Sequence, residues 1–160
     1  MRQTFLFFLV WIFSSVFLFS QEVKKIGKEE LKAMLNEPGD KIHVINFWAT
    51  WCGPCVIEIP YFEKVSKEYP NDKVEFTLAS LDFPSQLDSR LIPFLTQQKI
   101  SLNVVLINEM DYDLWMKDVD PDWKGNIPAT LIFNNANKQR QFISKAIDDK
   151  VLRGIIDKML

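Results

Sequence analysis

Two cysteines, Cys52 and Cys55, are the only thiols in this chain of 160 residues, and two residues separate them. They follow the apolar run Ile42–Trp48, which is typical of a strand covered on both faces of a parallel sheet. The residues after the pair predict a helix, so Cys52 is expected at a helix N-terminus, where free N–H groups and the helix dipole favour a thiolate. Cys55 is expected about one helical turn later, in a less exposed position. This arrangement favours reversible dithiol–disulfide chemistry, with Cys52 as nucleophile and Cys55 as resolving thiol.

Two other uses of a cysteine pair with this spacing are a metal site and a structural disulfide. Cysteine pairs that bind metal usually occur twice, whereas this chain has one pair and a single histidine, His43, on the strand. A structural disulfide across so short a loop would constrain the unfolded chain little. We therefore expect no metal and no separate cofactor, and we expect the redox-active group to be the Cys52–Cys55 disulfide itself.

The composition is that of an ordinary globular protein, with 48% hydrophobic and 25% charged residues. The formal net charge is −2, which gives no basic surface of the kind that binds nucleic acid. Nucleic acid is therefore not an expected partner.

The N-terminal residues differ from the rest of the chain. Arg2 precedes the almost uninterrupted apolar and aromatic run Phe5–Phe19. A charged start and a short apolar run are typical of a secretory signal peptide, whereas a spanning helix needs about 20 apolar residues. The sequence therefore predicts a signal peptide over residues 1–20, with an N-terminal membrane anchor over residues 4–19 as the alternative. Residues 21–160 would then form one domain in the periplasm or another extracytoplasmic compartment.

The elements that must position the cysteine pair alternate between helix and strand patterns, which predicts one α/β domain. The segment Gln21–Gly27 is expected to be a short lead-in. The helix after the cysteines is expected to bury Ile57, and the last two strands are expected to form an antiparallel hairpin. The predicted helices are Lys28–Leu35, Pro54–Tyr69, Pro93–Lys99, a turn or two over Asp111–Asp118, and a last helix from about Asp148, and the predicted strands are Ile42–Trp48, Lys73–Leu81, Leu102–Ile107, Thr130–Phe133 and Gln139–Ile143.

The run Phe47–Cys55 (FWATWCGPC) resembles the active-site signature of the thioredoxin superfamily almost residue for residue, and Ile127–Thr130 resembles its cis-proline segment. The apolar N-terminus, Asn46 on the strand and the segment Cys55–Pro60 are most similar to the exported thiol-disulfide oxidoreductases of the TlpA/ResA type. The resemblance implies a thioredoxin-like α/β fold, in which a central mixed β-sheet is flanked by helices. It also implies an inserted strand-helix segment between Asp82 and the cis-proline loop.

The same resemblance implies a substrate-binding surface around the cysteines. Ile127 and Pro128 would be joined by a cis peptide bond, lie beside the cysteines and pair with an extended substrate segment as an added strand. Trp51 is expected to be a partly exposed lid, and Gly53 and Pro54 would lie on the same surface.

Glu58 is the residue to which the resemblance gives a proton-transfer role. Thioredoxin itself has a buried aspartate where this chain has Asn46, which cannot take a proton. Glu58 lies three residues after Cys55, on the same helix face, and would exchange protons with Cys55. The alternative is an ordinary solvated glutamate.

The resulting prediction is an exported protein thiol-disulfide oxidoreductase. Gly53 and Pro54 resemble the residues of reducing members, which favours a reductase. The expected partners are a disulfide-containing exported protein as substrate and an upstream thiol donor, including a membrane-bound one. The alternatives are a non-catalytic thioredoxin-fold binding module and a peroxiredoxin-type peroxidase, although Thr50 lies only two positions before Cys52 and no arginine is close in sequence.

Overall fold

The computed structural model describes residues 22–160, so the predicted signal peptide lies outside the described residues. A single six-stranded mixed sheet forms the centre of this part of the chain. The strands are β1 (Lys24–Ile26), β2 (Ile42–Trp48), β3 (Val74–Ser80), β4 (Asn103–Ile107), β5 (Ala129–Asn134) and β6 (Gln139–Ile143), and the helices are α1 (Lys28–Leu35), α2 (Gly53–Ser66), α3 (Ile92–Gln98), α4 (Met116–Val119) and α5 (Asp149–Met159).

The strand order is β1-β4-β3-β2-β5-β6. The strands β1, β4, β3 and β2 are mutually parallel, whereas β5 is antiparallel to both β2 and β6. This is the mixed sheet that the sequence predicts, and β5 and β6 form the predicted hairpin.

Both faces of β2 are covered, which explains its continuous apolar run. All seven of its residues are buried. Val44 and Trp48 pack in the same hydrophobic cluster as residues of α2 and α5, whereas Phe47 packs on the other face with Trp115 and residues of α1. Because both faces are fixed by packing, the end of β2 delivers the chain to the start of α2 at a defined place.

The predicted bounds of α1, β2 and β6 agree with the structure, whereas those of α2 are wrong. The helix begins at Gly53 and ends at Ser66, so it does not reach Tyr69. Ile57 is 70% exposed and not buried as predicted. The buried side of α2 is one position further along the chain and includes Glu58 and Ile59.

The prediction that Gln21–Gly27 is only a lead-in is also wrong, because β1 lies within it. β1 adds to the sheet edge by pairing Lys24 with Val105 and Ile26 with Ile107 of β4. Only Ile26 of its three residues is buried. An edge strand of three residues with two lysines carries too short a pattern to be recognised from sequence.

The segment between β3 and β5 contains the expected additional strand and helix, β4 and α3. A π-helical turn, Leu87–Leu91, leads into α3. The start of β4 is fastened to α2, because the carboxylate of Glu63 accepts hydrogen bonds from Ser101 N, Ser101 Oγ and Leu102 N at 2.6, 2.6 and 3.0 Å. The predicted turn over Asp111–Asp118 is a 3₁₀ turn followed by the short α4. No helix within residues 22–160 is long and apolar enough to cross a membrane.

If β4 is an integral part of the core, then Leu106→Ala should lower the free energy of unfolding by about 2–5 kcal/mol, because it leaves a cavity in a well-packed region. Leu106 is fully buried, whereas Leu114 in the same inserted segment is 47% exposed. Leu114→Ala is the matched control and should cost well under the Leu106→Ala value. Urea unfolding of both variants measures the difference, and equal losses would show that the inserted segment does not contribute to the core as described.

Candidate active site

The two cysteines lie where β2 passes into α2. Cys52 is the N-cap residue of α2, and its Sγ accepts a hydrogen bond from the backbone N–H of Cys55 at 3.3 Å. The two Sγ atoms form a disulfide. Cys52 is 7% exposed and Cys55 is completely buried. The predicted division of roles, with Cys52 as nucleophile and Cys55 as resolving thiol, stays a prediction.

The loop that carries Cys52 is held by a buried carboxylate, Asp82. This carboxylate accepts hydrogen bonds from Thr50 N at 3.0 Å, from Thr50 Oγ1 at 2.5 Å and from Ser80 Oγ at 2.8 Å. Leu81 N donates to Trp48 O at 2.7 Å, directly after the last paired residues of β2 and β3. Asp82 therefore fixes the backbone just before Cys52. No local sequence pattern marks Asp82 as a site residue, although the carboxyl ends of neighbouring parallel strands meet at one edge of a sheet.

The predicted substrate-binding residues next to the cysteines are accessible. Trp51 is 53% exposed, and Gly53 and Pro54 are exposed beside it. Phe83, which follows Asp82, is also 53% exposed and was not part of the sequence prediction. The structure therefore has an exposed apolar surface around the disulfide.

The cis-proline segment reaches the same end of the sheet. The peptide bond between Ile127 and Pro128 is cis, as the resemblance implies. The next residue, Ala129, pairs with Phe47 near the end of β2. Ile127 is partly buried and Pro128 is buried. The antiparallel pairing of β5 with β2 thus places this segment at the end of β2 from which Cys52 follows.

Glu58 is not a solvated glutamate, so that alternative is wrong. It is 1% exposed and lies one turn after Cys55 on the buried side of α2. Its Oε1 accepts a hydrogen bond from Asn46 Nδ2 at 2.7 Å, and its Oε2 accepts one from Ile147 N at 2.9 Å. Burial raises the pKa of Glu58 to about 6, although the hydrogen bonds from Ile147 and Asn46 act in the opposite direction. Proton exchange with Cys55 stays a prediction.

Asn46 connects this carboxylate to the cis-proline strand. Its Nδ2 also donates to Thr130 Oγ1 at 3.0 Å, and Thr130 lies two residues after Pro128 on β5. Both Asn46 and Thr130 are completely buried. The network therefore joins β2, β5, α2 and the β6–α5 loop. Asn46 within a run of apolar residues was a signal for a buried polar contact, but its partners could not be identified from sequence.

A group that could hold a metal ion lies away from these residues. Within residues 22–160, Glu37, His43 and Glu75 place ligand atoms within 4.8 Å of one another. The His43 ring also stacks on Phe133, and its Nδ1 lies 3.4 Å from Glu75 Oε2. Lys41 Nζ is 3.7 Å from the same carboxylate oxygen and already compensates its charge.

Comparison with known proteins shows similarity to thioredoxins and related oxidoreductases. Residues 22–92 match the family model described as Thioredoxin. A thioredoxin from Malassezia sympodialis is 53% identical over 49 residues, which are 31% of this chain and 47% of that protein. The thiol-disulfide oxidoreductase ResA from Oceanobacillus iheyensis is 38% identical over 63 residues, which are 38% of this chain and 33% of that protein. The chain thus spans less than half the length of these curated relatives.

The similarity in three dimensions is more extensive. The crystal structure of a thioredoxin-related protein from Neisseria meningitidis serogroup B superposes with a TM-score of 0.65 at 24% identity. The superposition covers 77% of this chain and 87% of that chain. At this level of identity the similarity establishes the fold.

The raised pKa of Glu58 predicts how stability depends on pH. The folded protein holds a proton on Glu58 up to about pH 6, whereas the unfolded chain releases it near the ordinary value of 4.5. The free energy of unfolding should therefore fall by about 2 kcal/mol as pH rises from 4.5 through 6, beyond the change caused by other groups. Glu58→Gln lacks this titration, so the difference between the urea-unfolding curves of wild type and variant should vary with pH by that amount. A difference that stays constant with pH would contradict the raised pKa.

Proposed function

The chain has the thioredoxin fold that its sequence predicts, and we propose that it is an exported protein thiol-disulfide oxidoreductase that acts as a reductase. The observation that carries the proposal is the Cys52–Cys55 disulfide at the N-terminus of α2. Cys52 caps the helix and keeps 7% of its surface exposed, whereas Cys55 is completely buried. This asymmetry suits a nucleophile and a resolving thiol.

The reaction begins with the reduced pair. The Cys52 thiolate attacks one sulfur of a substrate disulfide, forms a mixed disulfide and displaces the other substrate sulfur as a thiolate, which takes up a proton. Cys55 then loses its proton and attacks Cys52 Sγ, which releases the second substrate sulfur as a thiol. The two electrons of the dithiol have moved to the substrate, and the Cys52–Cys55 disulfide remains. An upstream thiol donor must reduce this disulfide for the next cycle.

Glu58 is the base that receives the proton from Cys55 in this scheme. Cys55 is completely buried, so its thiol needs a proton acceptor inside the protein. Glu58 lies three residues later on the same buried side of α2, and burial raises its pKa to about 6. A carboxylate with a pKa near the working pH can both accept and return a proton.

The exposed surface around the disulfide is the proposed substrate-binding site. It is formed by Trp51, Gly53 and Pro54, and we assign the backbone of Ile127 the role of pairing with an extended substrate segment. A disulfide substrate is presented as a loop or strand, and one added strand would hold its sulfur beside Cys52. The exposed apolar side chains favour a protein substrate over a small polar molecule.

Export rests on the N-terminal sequence, with its charged start and apolar run over residues 5–19. A disulfide-containing substrate fits an extracytoplasmic compartment, because disulfides persist in oxidising environments. We place the protein in the periplasm or an equivalent compartment, with an exported protein as substrate and a thiol donor upstream of it.

Reduction of insulin disulfides tests the activity. The wild-type protein, reset by dithiothreitol, should accelerate insulin reduction, and Cys52→Ser should abolish the acceleration because the remaining thiol, Cys55, is completely buried. Cys55→Ser should form a stable mixed disulfide without turnover. A wild type that gives no acceleration, like Cys52→Ser, would favour a binding module.

In the reduced wild type, Cys52 should react with iodoacetamide faster than Cys55 at neutral pH.

Proton transfer by Glu58 predicts a pH-dependent rate. Glu58→Gln should slow turnover by about 10²-fold, the usual contribution of a general base. The wild-type rate should rise with pH through about 6 as the carboxylate ionises, and this inflection should be missing in the variant. Glu68→Gln is the matched control, because Glu68 is an exposed glutamate paired with Arg153. Equal rates and pH profiles for wild type and Glu58→Gln would remove Glu58 from the mechanism.

A further inference from the structure

Asn46 has a buried polar atom that no contact explains. Its Nδ2 makes two hydrogen bonds, to Glu58 Oε1 at 2.7 Å and to Thr130 Oγ1 at 3.0 Å. Its Oδ1 is buried and has no hydrogen-bond partner among the groups of residues 22–160. Native proteins rarely leave a buried acceptor unsatisfied, so this atom requires an explanation.

The observed arrangement suits the ionised form of Glu58 better than the protonated form, which has less capacity to accept hydrogen bonds. Oε2 accepts the N–H of Ile147, and Oε1 accepts the amide of Asn46, so both carboxylate oxygens act as acceptors. When Glu58 takes a proton, Oε2 still faces the fixed backbone N–H, so the proton belongs on Oε1. A hydroxyl at Oε1 would then face the N–H of Asn46, and two donors would oppose each other.

A half-turn of the Asn46 amide removes this conflict. It exchanges the positions of Nδ2 and Oδ1, so that Oδ1 accepts the proton of Glu58 Oε1 and the NH₂ group moves to the place where Oδ1 has no partner. The hydroxyl of Thr130, which accepts from Asn46 in the observed arrangement, can donate to Oδ1 in the other one, because a hydroxyl is both donor and acceptor. The same two side chains thus serve either protonation state.

We propose that Asn46 is a positioning residue that turns its amide with each proton transfer, so that Glu58 keeps a hydrogen bond both as carboxylate and as carboxylic acid. The inference deepens the proposed function, because it rests on Glu58 exchanging a proton with Cys55. An aspartate at this position could not do the same, since an ionised carboxylate offers no donor to Glu58.

The groups that bind Glu58 are uncharged, so we expect the turn of the Asn46 amide to follow the ionisation of Glu58. On α2, Cys55 lies one turn before Glu58 and holds no proton in the disulfide form. From β2 and β5 it meets the uncharged Asn46 and Thr130, and from the β6–α5 loop it meets the backbone of Ile147. The ionisable residues nearest to Ile147 in sequence, Lys145 and Asp148, are exposed.

Nuclear magnetic resonance of the full-length oxidised protein tests the turn directly. At pH 7.5 the Nδ2 protons of Asn46 should show nuclear Overhauser effects to the Thr130 side chain. At pH 4.5, below the pKa of about 6, these effects should weaken several-fold, because Oδ1 has taken that place. The midpoint of the change should coincide with the titration of the Glu58 carboxyl carbon. Effects that keep their intensity through the Glu58 titration would overturn the proposal and make Asn46 a fixed donor.

Asn134 is the matched control within the same spectra. Like Asn46 it is a buried asparagine, but it lies on β5. Both ends of its amide are satisfied, because Nδ2 donates to Asp40 O and Oδ1 accepts from Ala136 N and Asn137 N. Its amide contacts should not change between pH 4.5 and 7.5. A loss of contacts at both asparagines would indicate general loosening of the fold and would overturn the assignment to Glu58.

The variant Glu58→Gln gives an independent readout. The N–H of Ile147 requires the amide oxygen of the new side chain, so the new NH₂ group faces Asn46 and imitates the protonated acid. The contact between the Asn46 amide protons and Thr130 should therefore be weak at every pH. A contact as strong as in wild type at pH 7.5 would contradict the proposal. Neither readout depends on turnover, so failure of the insulin assay and failure of this inference are distinguishable.

Discussion

The buried carboxylate of Glu58 is the constraint on which the rest of the site depends. A charge without access to water must be satisfied by protein groups, and here these come from β2 and from the loop before α5. Asn46 in turn binds Thr130 on β5, so two polar side chains, Glu58 and Asn46, join the helix, two strands and a loop. The cysteine pair on α2 and the cis-proline segment before β5 are held together by the same contacts.

A second buried carboxylate, Asp82, has a complementary function at the surface. It binds the backbone and hydroxyl of Thr50 and thereby holds the turn that presents Cys52. Glu58 lies one turn after Cys55 on the buried side of α2, and Asp82 binds the turn before Cys52, where Trp51 is exposed. Cys52 thus keeps a small exposed fraction, 7%, while Cys55 is completely buried.

The sequence predicted those parts of the fold whose signal is local. The apolar run of β2 and the cysteine motif determine strand, turn and helix within a few residues, and these predictions agree with the structure. The burial of Ile57 was predicted wrongly, because apolar periodicity cannot anticipate that the neighbouring Glu58 is the buried residue. The contacts of Asn46 and Asp82 could not be predicted from the sequence either, because their partners are distant in the chain and come together only in the packed sheet.

The proposed mechanism requires that Glu58 and Cys55 exchange a proton with each other. The most direct test follows the ¹³C shift of the Glu58 carboxyl carbon against pH in the oxidised and the reduced protein. In the oxidised form, where Cys55 carries no proton, we expect Glu58 to titrate in one step near pH 6. In the reduced form we expect two steps, the second coinciding with the ionisation of Cys55, because interacting groups titrate as a pair. Identical single-step curves in both redox states would contradict the proposed mechanism.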